Sequence, residues 1–281
     1  MPDLEESVEH EAAHLTNLHI RSHMGTTMNI ATWNVNSLKV RLPQVLQWLA
    51  TNSIDVLCLQ ETKTVDEKFP QAEIESAGYH VVFSGQKTYN GVAILSKLPM
   101  SDIVKNNPLH PDEQQRIISA TVDGVRMICA YVPNGQSLDS DKYQYKLLWL
   151  AALQSWIDDE RKRYPLLAVL GDYNIAPEDR DVHDPAAWIG QVLVSDAERA
   201  AFAGLIGLDL VDAFRMFEQA EKLYSWWDYR QMAFRRNRGM RIDHILLSKA
   251  LASRCTGCAI DKLPRKWEQP SDHTPVIAML N

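Results

Sequence analysis

Six short polar clusters, each placed where an apolar run begins or ends, constrain this chain more than any other feature. They are Trp33-Asn34-Val35-Asn36, Gln60-Glu61-Thr62-Lys63, Tyr131-Val132-Pro133-Asn134, Gly171-Asp172-Tyr173-Asn174, Arg241-Ile242-Asp243 and Ser271-Asp272-His273. The apolar runs beside them, such as 54–59, 166–170 and 242–247, have the length and bounding residues of buried strands. A side chain placed where a strand leaves the core sits on a rigid element at the protein's edge, where a site can be held to close geometry. Asn, Glu, Asp and His gathered on such edges predict one oxygen-rich site suited to a hard cation, and therefore an enzyme.

Strand and helix alternate from the first strand-like segment, 28–33, onward. Residues 42–49 read as a helix starting near Pro43 and covering the strand 56–59. Segments 81–83 and 92–95 flank a turn at Tyr89-Asn90-Gly91, and Asp123-Gly124 splits 117–122 from 125–131 as a hairpin signal. A further helix is expected over 143–157, with Leu147, Leu150, Ala151 and Leu153 as its apolar positions. Hairpins mixed with covering helices imply an α/β sandwich, an antiparallel-rich sheet core with helices outside. No repeat or low-complexity linker interrupts 28–281, which is expected to form one domain.

With 281 residues, 46% of them hydrophobic, the chain can bury one large core or two smaller ones. No run of about eighteen apolar residues is present to span a membrane. The N-terminus lacks the apolar core of a secretory signal, and its five acids disfavour a transit peptide. Residues 1–27 are expected to stand outside the core, as a disordered extension, a vector-derived leader or the product of an early start codon. They contain His10-Glu11-Ala12-Ala13-His14, which matches a zinc-protease signature, but His19 and Asn17 break the spacing and glycine that the longer form requires. A chance match in a His-rich tail is the better reading. Cys58 and Cys129 lie in strand-like runs as small buried thiols, and Cys255-x-x-Cys258 has no second Cys or His pair to complete a metal site. This is reduced, cytosolic-type usage, which places the chain in the cytoplasm. The net charge of −7 is dominated by the tail; residues 28–281 hold 28 bases and 31 acids, so a local basic face remains possible.

Glu61 and Asp172 each follow an apolar run. Converging strand-end carboxylates repel unless a cation joins them, which favours Mg²⁺, with Mn²⁺ possible, over a zinc or copper site rich in His or Cys. A cation held by one or two carboxylates keeps positions open for water and a phosphate oxygen, so the implied reaction is phosphoryl transfer to water. Asp243 is placed to hold one ring nitrogen of His273, leaving the other to address a water or phosphate. Asn34, Asn134 and Asn174 supply amides that can bind phosphate oxygens, although Pro133-Asn134-Gly135 alone would justify a turn. Tyr131 is either a strand aromatic or a phenol that donates to developing charge.

The segment 224–241 interleaves Tyr224, Trp226, Trp227, Tyr229 and Phe234 with Arg230, Arg235, Arg236, Arg238 and Arg241. Arginines can meet backbone phosphates, and exposed aromatics can stack on a base, so the segment reads as a nucleic-acid surface. The alternative is a solvated basic loop with its tryptophans in the core.

The order Asn34, Glu61, Tyr131, Asp172-x-Asn174, Asp243, Asp272-His273 resembles the exonuclease III family of apurinic/apyrimidinic endonucleases, within the endonuclease/exonuclease/phosphatase superfamily. Family-specific blocks include Ala31-Thr32-Trp33-Asn34-Val35-Asn36, Gly85-Gln86-Lys87, Tyr224-Ser225-Trp226-Trp227-Asp228-Tyr229-Arg230 and Pro270-Ser271-Asp272-His273. The resemblance implies a four-layer α/β sandwich, two packed mixed sheets flanked by helices, with the site at one edge. It implies a metal environment at Glu61 with Asn34 and Asp272, and an attacking water oriented or deprotonated by Asp172. It further implies charge stabilisation by Asn174, Tyr131 and His273, the last held by Asp243. Trp226, Met240 and Ile242 fall where the family lines a pocket for a flipped-out baseless sugar. The chain departs from the family at Asn36, where some members place a metal-binding carboxylate, and at 181–191, where His183 and Trp188 could lie over the cleft. The expected activity is Mg²⁺-dependent hydrolysis of double-stranded DNA 5′ to abasic sites, with 3′-end trimming, by a monomer. Another phosphoester substrate on the same fold, and a non-catalytic damage-binding protein, remain as alternatives.

Overall fold

Two six-stranded sheets carry the described part of the chain, residues 27–281 of a computed structural model. The His10-Glu11-Ala12-Ala13-His14 pattern lies outside those residues. One sheet runs in the order β11 (Cys255–Ile260), β12 (Val276–Leu280), β1 (Met28–Asn34), β2 (Val56–Gln60), β4 (Val92–Ser96) and β3 (His80–Ser84). The other runs β5 (Met100–Lys105), β6 (Ile117–Val122), β7 (Val125–Tyr131), β8 (Leu167–Asp172), β10 (Asp243–Ser248) and β9 (Leu210–Asp212). Each has one parallel pair, β1 with β2 and β7 with β8, and is otherwise antiparallel. A parallel pair needs a long crossover, supplied by the helices α1 (Leu38–Thr51) and α3 (Asp141–Arg163); α2 (Gln71–Ser76) precedes β3.

Side-chain alternation along the strands builds four layers. Ile30, Cys58 and Ile94 of the first sheet meet Met127, Cys129, Leu170 and Ile245 of the second in the central core. The opposite faces turn outward: Trp33, Leu57 and Leu59 under Val45 and Trp48 of α1, and Ile128, Val169 and Leu246 under Trp149, Leu153 and Trp156 of α3. Central strands are thus covered on both sides, which is why they read as continuous apolar runs rather than as an alternation.

The Asp123-Gly124 hairpin forms as expected, with φ of 46° and 77° at its two central residues. The first helix departs from expectation, beginning at Leu38 rather than near Pro43. Its early N–H groups find partners that a local reading cannot see: Leu38 donates to Thr62 O at 3.0 Å, beside a 2.7 Å bond from the Ser37 N–H to Glu61 O. Pro43 sits inside the helix, where its missing N–H forgoes one bond to Lys39.

Strand direction brings the polar clusters to one edge. The parallel strands end there, with Asn34 opposite Gln60 and Tyr131 opposite Asp172. The antiparallel strand β10 begins there, with Asp243 opposite Asp172, and His273 stands just before β12. Gly171 is required beside Asp172, because a Cβ would fall 1.8 Å from the Ala130 carbonyl oxygen of β7. Among the described residues no helix is long and apolar enough to cross a membrane.

Candidate active site

Asn34 joins the two sheets. Its Nδ2 donates to Glu61 Oε1 and to Asp172 Oδ2, both at 2.9 Å, so one amide holds two carboxylates together. Glu61 leaves β2 with a φ of 53°, a conformation that costs a non-glycine residue free energy and occurs at functional sites. Burial would raise its carboxyl, but Lys63 at 2.8 Å, together with Asn34, holds it below the usual carboxylate range.

Asp243 receives the Ser225 hydroxyl at 2.6 Å and faces His273 Nδ1 at 2.9 Å, as expected of a residue that orients a ring. His273 Nε2 then lies 3.6 Å from Asp172 Oδ2. Burial opposes a charged ring, but Asp243 and Asp172 outweigh it and push the His273 pKa up to about 10. Burial pushes Asp172 up to about 7, against the pull of His273. His273 is therefore a proton donor at neutral pH, and Asp172 is the group poised to accept a proton.

Asn174 follows Asp172 with its Nδ2 donating to Val132 O at 3.0 Å and to Asp172 Oδ2 at 3.3 Å, while its Oδ1 accepts from Asn134 at 3.1 Å. Tyr131 is held as a protonated phenol, first by burial and then by the Glu61 and Asp172 charges. Beneath these residues lies a pair absent from the sequence reading, Lys146 with Glu198, both fully buried. The Lys146 ammonium donates to the backbone oxygens of Asn134 at 3.1 Å and Asn174 at 2.7 Å. Glu198 accepts the Leu193 N–H at 3.0 Å, so one ion pair grips three loops of the site. The available signal was a lysine at helical spacing between Tyr143 and Leu150, on the buried face of α3.

A cavity of about 400 Å³ contains Glu61, Asp172, Asn174, Asp272 and His273, with Trp188, Leu193, Trp226 and Ile242 as its apolar wall. Trp226 also donates its ring N–H to Asp272 at 3.0 Å. Met240 has no exposed surface and packs behind Trp226 and Ile242, backing the pocket where the sequence reading made it a lining residue. The segment 181–191 does border the cleft through Trp188 and Gln191, whereas His183 faces the Gly239 carbonyl.

The basic segment divides. Arg235, Arg236 and Arg238 are exposed, and Arg238 lines an adjoining cavity with Trp188 and Trp226. Arg230 is exposed but paired with Asp228. Arg241 corrects the sequence reading: it is 1% exposed and bound to Asp181 and Asp212 at 2.7 and 2.8 Å, so it cannot meet a phosphate. Tyr224 and Trp227 are likewise buried in the core. Cys255 and Cys258 lie along β11, and neither belongs to a metal-ligand cluster among the described residues.

Glu61, Asp172 and His273 each bring a ligand atom within 4.8 Å of the others, the one such cluster among the described residues. The carboxylates fit a hard divalent cation, but His273 held as an imidazolium does not serve as a ligand. Asp272 offers a further carboxylate in the same cavity, its oxygens accepting from Asn36 and Trp226 at 3.0 Å.

The endonuclease/exonuclease/phosphatase family model matches residues 31–273. The chain belongs to this family. Its place is the exonuclease III branch, a set of phosphodiester-hydrolysing nucleases. The chain is 36% identical to exodeoxyribonuclease III of Haemophilus influenzae, over 89% of this chain and 99% of that protein. It is similar in structure to a Neisseria 3′ phosphatase bound to product DNA hairpin, at 47% identity and a TM-score of 0.89, covering 90% of this chain and 99% of that one. An AP endonuclease from Archaeoglobus fulgidus superposes with a TM-score of 0.87 at 41% identity, over 90% of this chain and 99% of that one. The two solved structures share the two-sheet sandwich described above.

Proposed function

We propose that this chain is a divalent-metal-dependent DNA-repair nuclease that hydrolyses the phosphodiester 5′ to abasic sites and trims blocked 3′ ends. The observation that carries the reading is the Asp172–His273–Asp243 chain beside Glu61, in a cavity with an apolar wall at Trp226 and Ile242. The relatives named above, an exodeoxyribonuclease, a 3′ phosphatase and an AP endonuclease, support the same chemistry on DNA.

Mg²⁺, or Mn²⁺, held at Glu61 with Asp272 and Asn34 would supply charge neutralisation for the reacting phosphate. Asp172 takes a proton from water, and the water oxygen forms the new bond to phosphorus while the P–O3′ bond breaks and the leaving 3′-oxygen takes a proton from solvent. Cleavage 5′ to an abasic site and removal of a 3′-phosphate both leave a 3′-hydroxyl, so one site serves both. His273 as imidazolium, Asn174, Asn134 and Tyr131 donate to the phosphate oxygens as charge builds. Trp226 and Ile242, backed by Met240, hold a sugar without a base, and Arg235, Arg236 and Arg238 hold flanking duplex. The nuclease domain is residues 28–281, acting as a cytoplasmic monomer.

The test uses two end-labelled duplexes, one with an internal abasic analogue and one with a 3′-phosphate at a nick, each with Mg²⁺ or EDTA. Metal-dependent product from both is expected. Action on the 3′ end alone would remove the abasic reading, and no turnover of either would overturn the nuclease reading.

A further inference from the structure

A second cavity of about 650 Å³ opens beside the catalytic one and shares Tyr131, Asn134 and Gln136 with it. The two differ in charge: Glu61, Asp172, Asp228 and Asp272 line the catalytic cavity, while no carboxylate lines the second. The cations of the second are Arg116 and Lys142. Arg116 is committed to the neutral Gln114 side chain and the Tyr131 carbonyl, and lies 4.7 Å over the Tyr131 ring. Lys142 is exposed at the start of α3 and has no carboxylate partner among the described residues.

At the rim stands Tyr89, 67% exposed, which nothing in the fold requires. Its neighbours Thr88 and Asn90 have φ of 72° and 53°. The buried Asn90 amide fastens the turn, donating to Gln86 at 2.8 Å and Gln114 at 3.3 Å. A strained, internally bonded turn that projects one aromatic ring is a preorganised stacking surface.

We propose that this groove binds an unpaired nucleic-acid strand that continues from the reacting phosphate, with Tyr89 stacking a base and Lys142 and Arg116 meeting phosphates. A groove of this volume holds roughly one or two nucleotides, within the ordinary range of ligand cavities. A duplex buries its base faces in its own stack, so the exposed ring favours a frayed or single-stranded segment. Phosphate-bearing strands enter on the acid-free side, and the reacting phosphate reaches the carboxylates at Tyr131 and Asn134. The proposal rests on the DNA-nuclease reading and deepens it.

The experiment measures binding by fluorescence anisotropy in EDTA, where no turnover is expected, and turnover with Mg²⁺. Two duplexes ending in a 3′-phosphate are compared, one fully paired and one with its last four nucleotides unpaired. Fraying should tighten binding by the wild-type chain about tenfold, the low end of base–aromatic stacking. The double variant Tyr89→Ala with Lys142→Ala should lose that gain while turning over the paired duplex within about twofold of wild type. Equal wild-type binding of both duplexes overturns the groove, as does a double variant that keeps the gain. A double variant weakened equally on both duplexes overturns it too, because the residues would then be general duplex contacts. Absence of any wild-type turnover is a separate failure, that of the nuclease reading itself.

Discussion

The strand-end cluster and the 224–241 segment are both rich in charged residues, yet they behave differently. At the strand ends, Asp172, Asp243 and Asn34 are each within about 1% of full burial, with Asn34 bonded to Asp172 and Asp243 to His273 at the cavity edge. Along 224–241, the arginines at 235, 236 and 238 face solvent while Arg241 is buried in an ion-pair network. A sheet register assigns each side chain a direction and a neighbour, so a strand-end residue has its place once the strand is recognised. A loop assigns neither, and its residues are sorted by whichever distant partner they meet.

The largest expected effect lies at the strand ends. Asp172→Asn removes the proton acceptor at nearly constant volume and should lower kcat by about a thousandfold or more while DNA affinity stays within a few-fold. Single-turnover kinetics and anisotropy check this, and near-normal turnover would remove Asp172 from the mechanism.

Arg241→Ala should cost about 3–5 kcal/mol of stability, because Asp212 would keep a buried charge with no cation partner and Asp181 would keep only Arg215. Arg235→Ala should stay within about 0.5 kcal/mol of wild type. Urea unfolding of the two variants measures the contrast directly, and equal stabilities would erase the division within the segment.

His244 gives a pH-dependent form of the same contrast. Burial and the neighbouring Arg241 hold its pKa down near 4, and its Nε2 lies 2.8 Å from the Ile175 carbonyl. Below about pH 6.5 the unfolded chain takes up a proton that folded His244 refuses, so its contribution is present above pH 6.5 and lost as pH falls toward 4. Against a His244→Gln variant, the wild-type chain should lose about 2 kcal/mol of relative stability between pH 7 and pH 5. An unchanged difference would show that the ring does not titrate this way.

The smallest effect belongs to the exposed arginines. Replacing Arg235, Arg236 and Arg238 one at a time with Ala should reduce the salt slope of DNA binding by about one each, with stability unmoved. Arg238, beside Trp188 and Trp226, should weaken binding most of the three.

Much of this was legible in the chain itself. The Asp123-Gly124 hairpin followed from residues that accept positive φ, and the six polar clusters marked the edge at which β1, β2, β7 and β8 end. The start of α1 was not legible, because its first donors are met by Glu61 and Thr62, just past the end of the strand that follows it. Lys146 and Glu198 were missed for a related reason: each is an unremarkable charged residue on its own helix, and only their packing makes a buried pair.

What the amino-acid sequence determined alone was the strands that carry the site, their polar ends and the chemistry those ends can carry, because apolar periodicity and turn residues act over a few positions. The tertiary structure decided which charges are buried with partners and which face solvent. Arg241 and Arg238 lie three positions apart on one loop, yet one is ion-paired in the interior and the other lines an open cavity. The reason is that a buried charge is tolerable only beside its counter-charge. The counter-charges of Arg241 come from Asp181 and Asp212, far away along the chain.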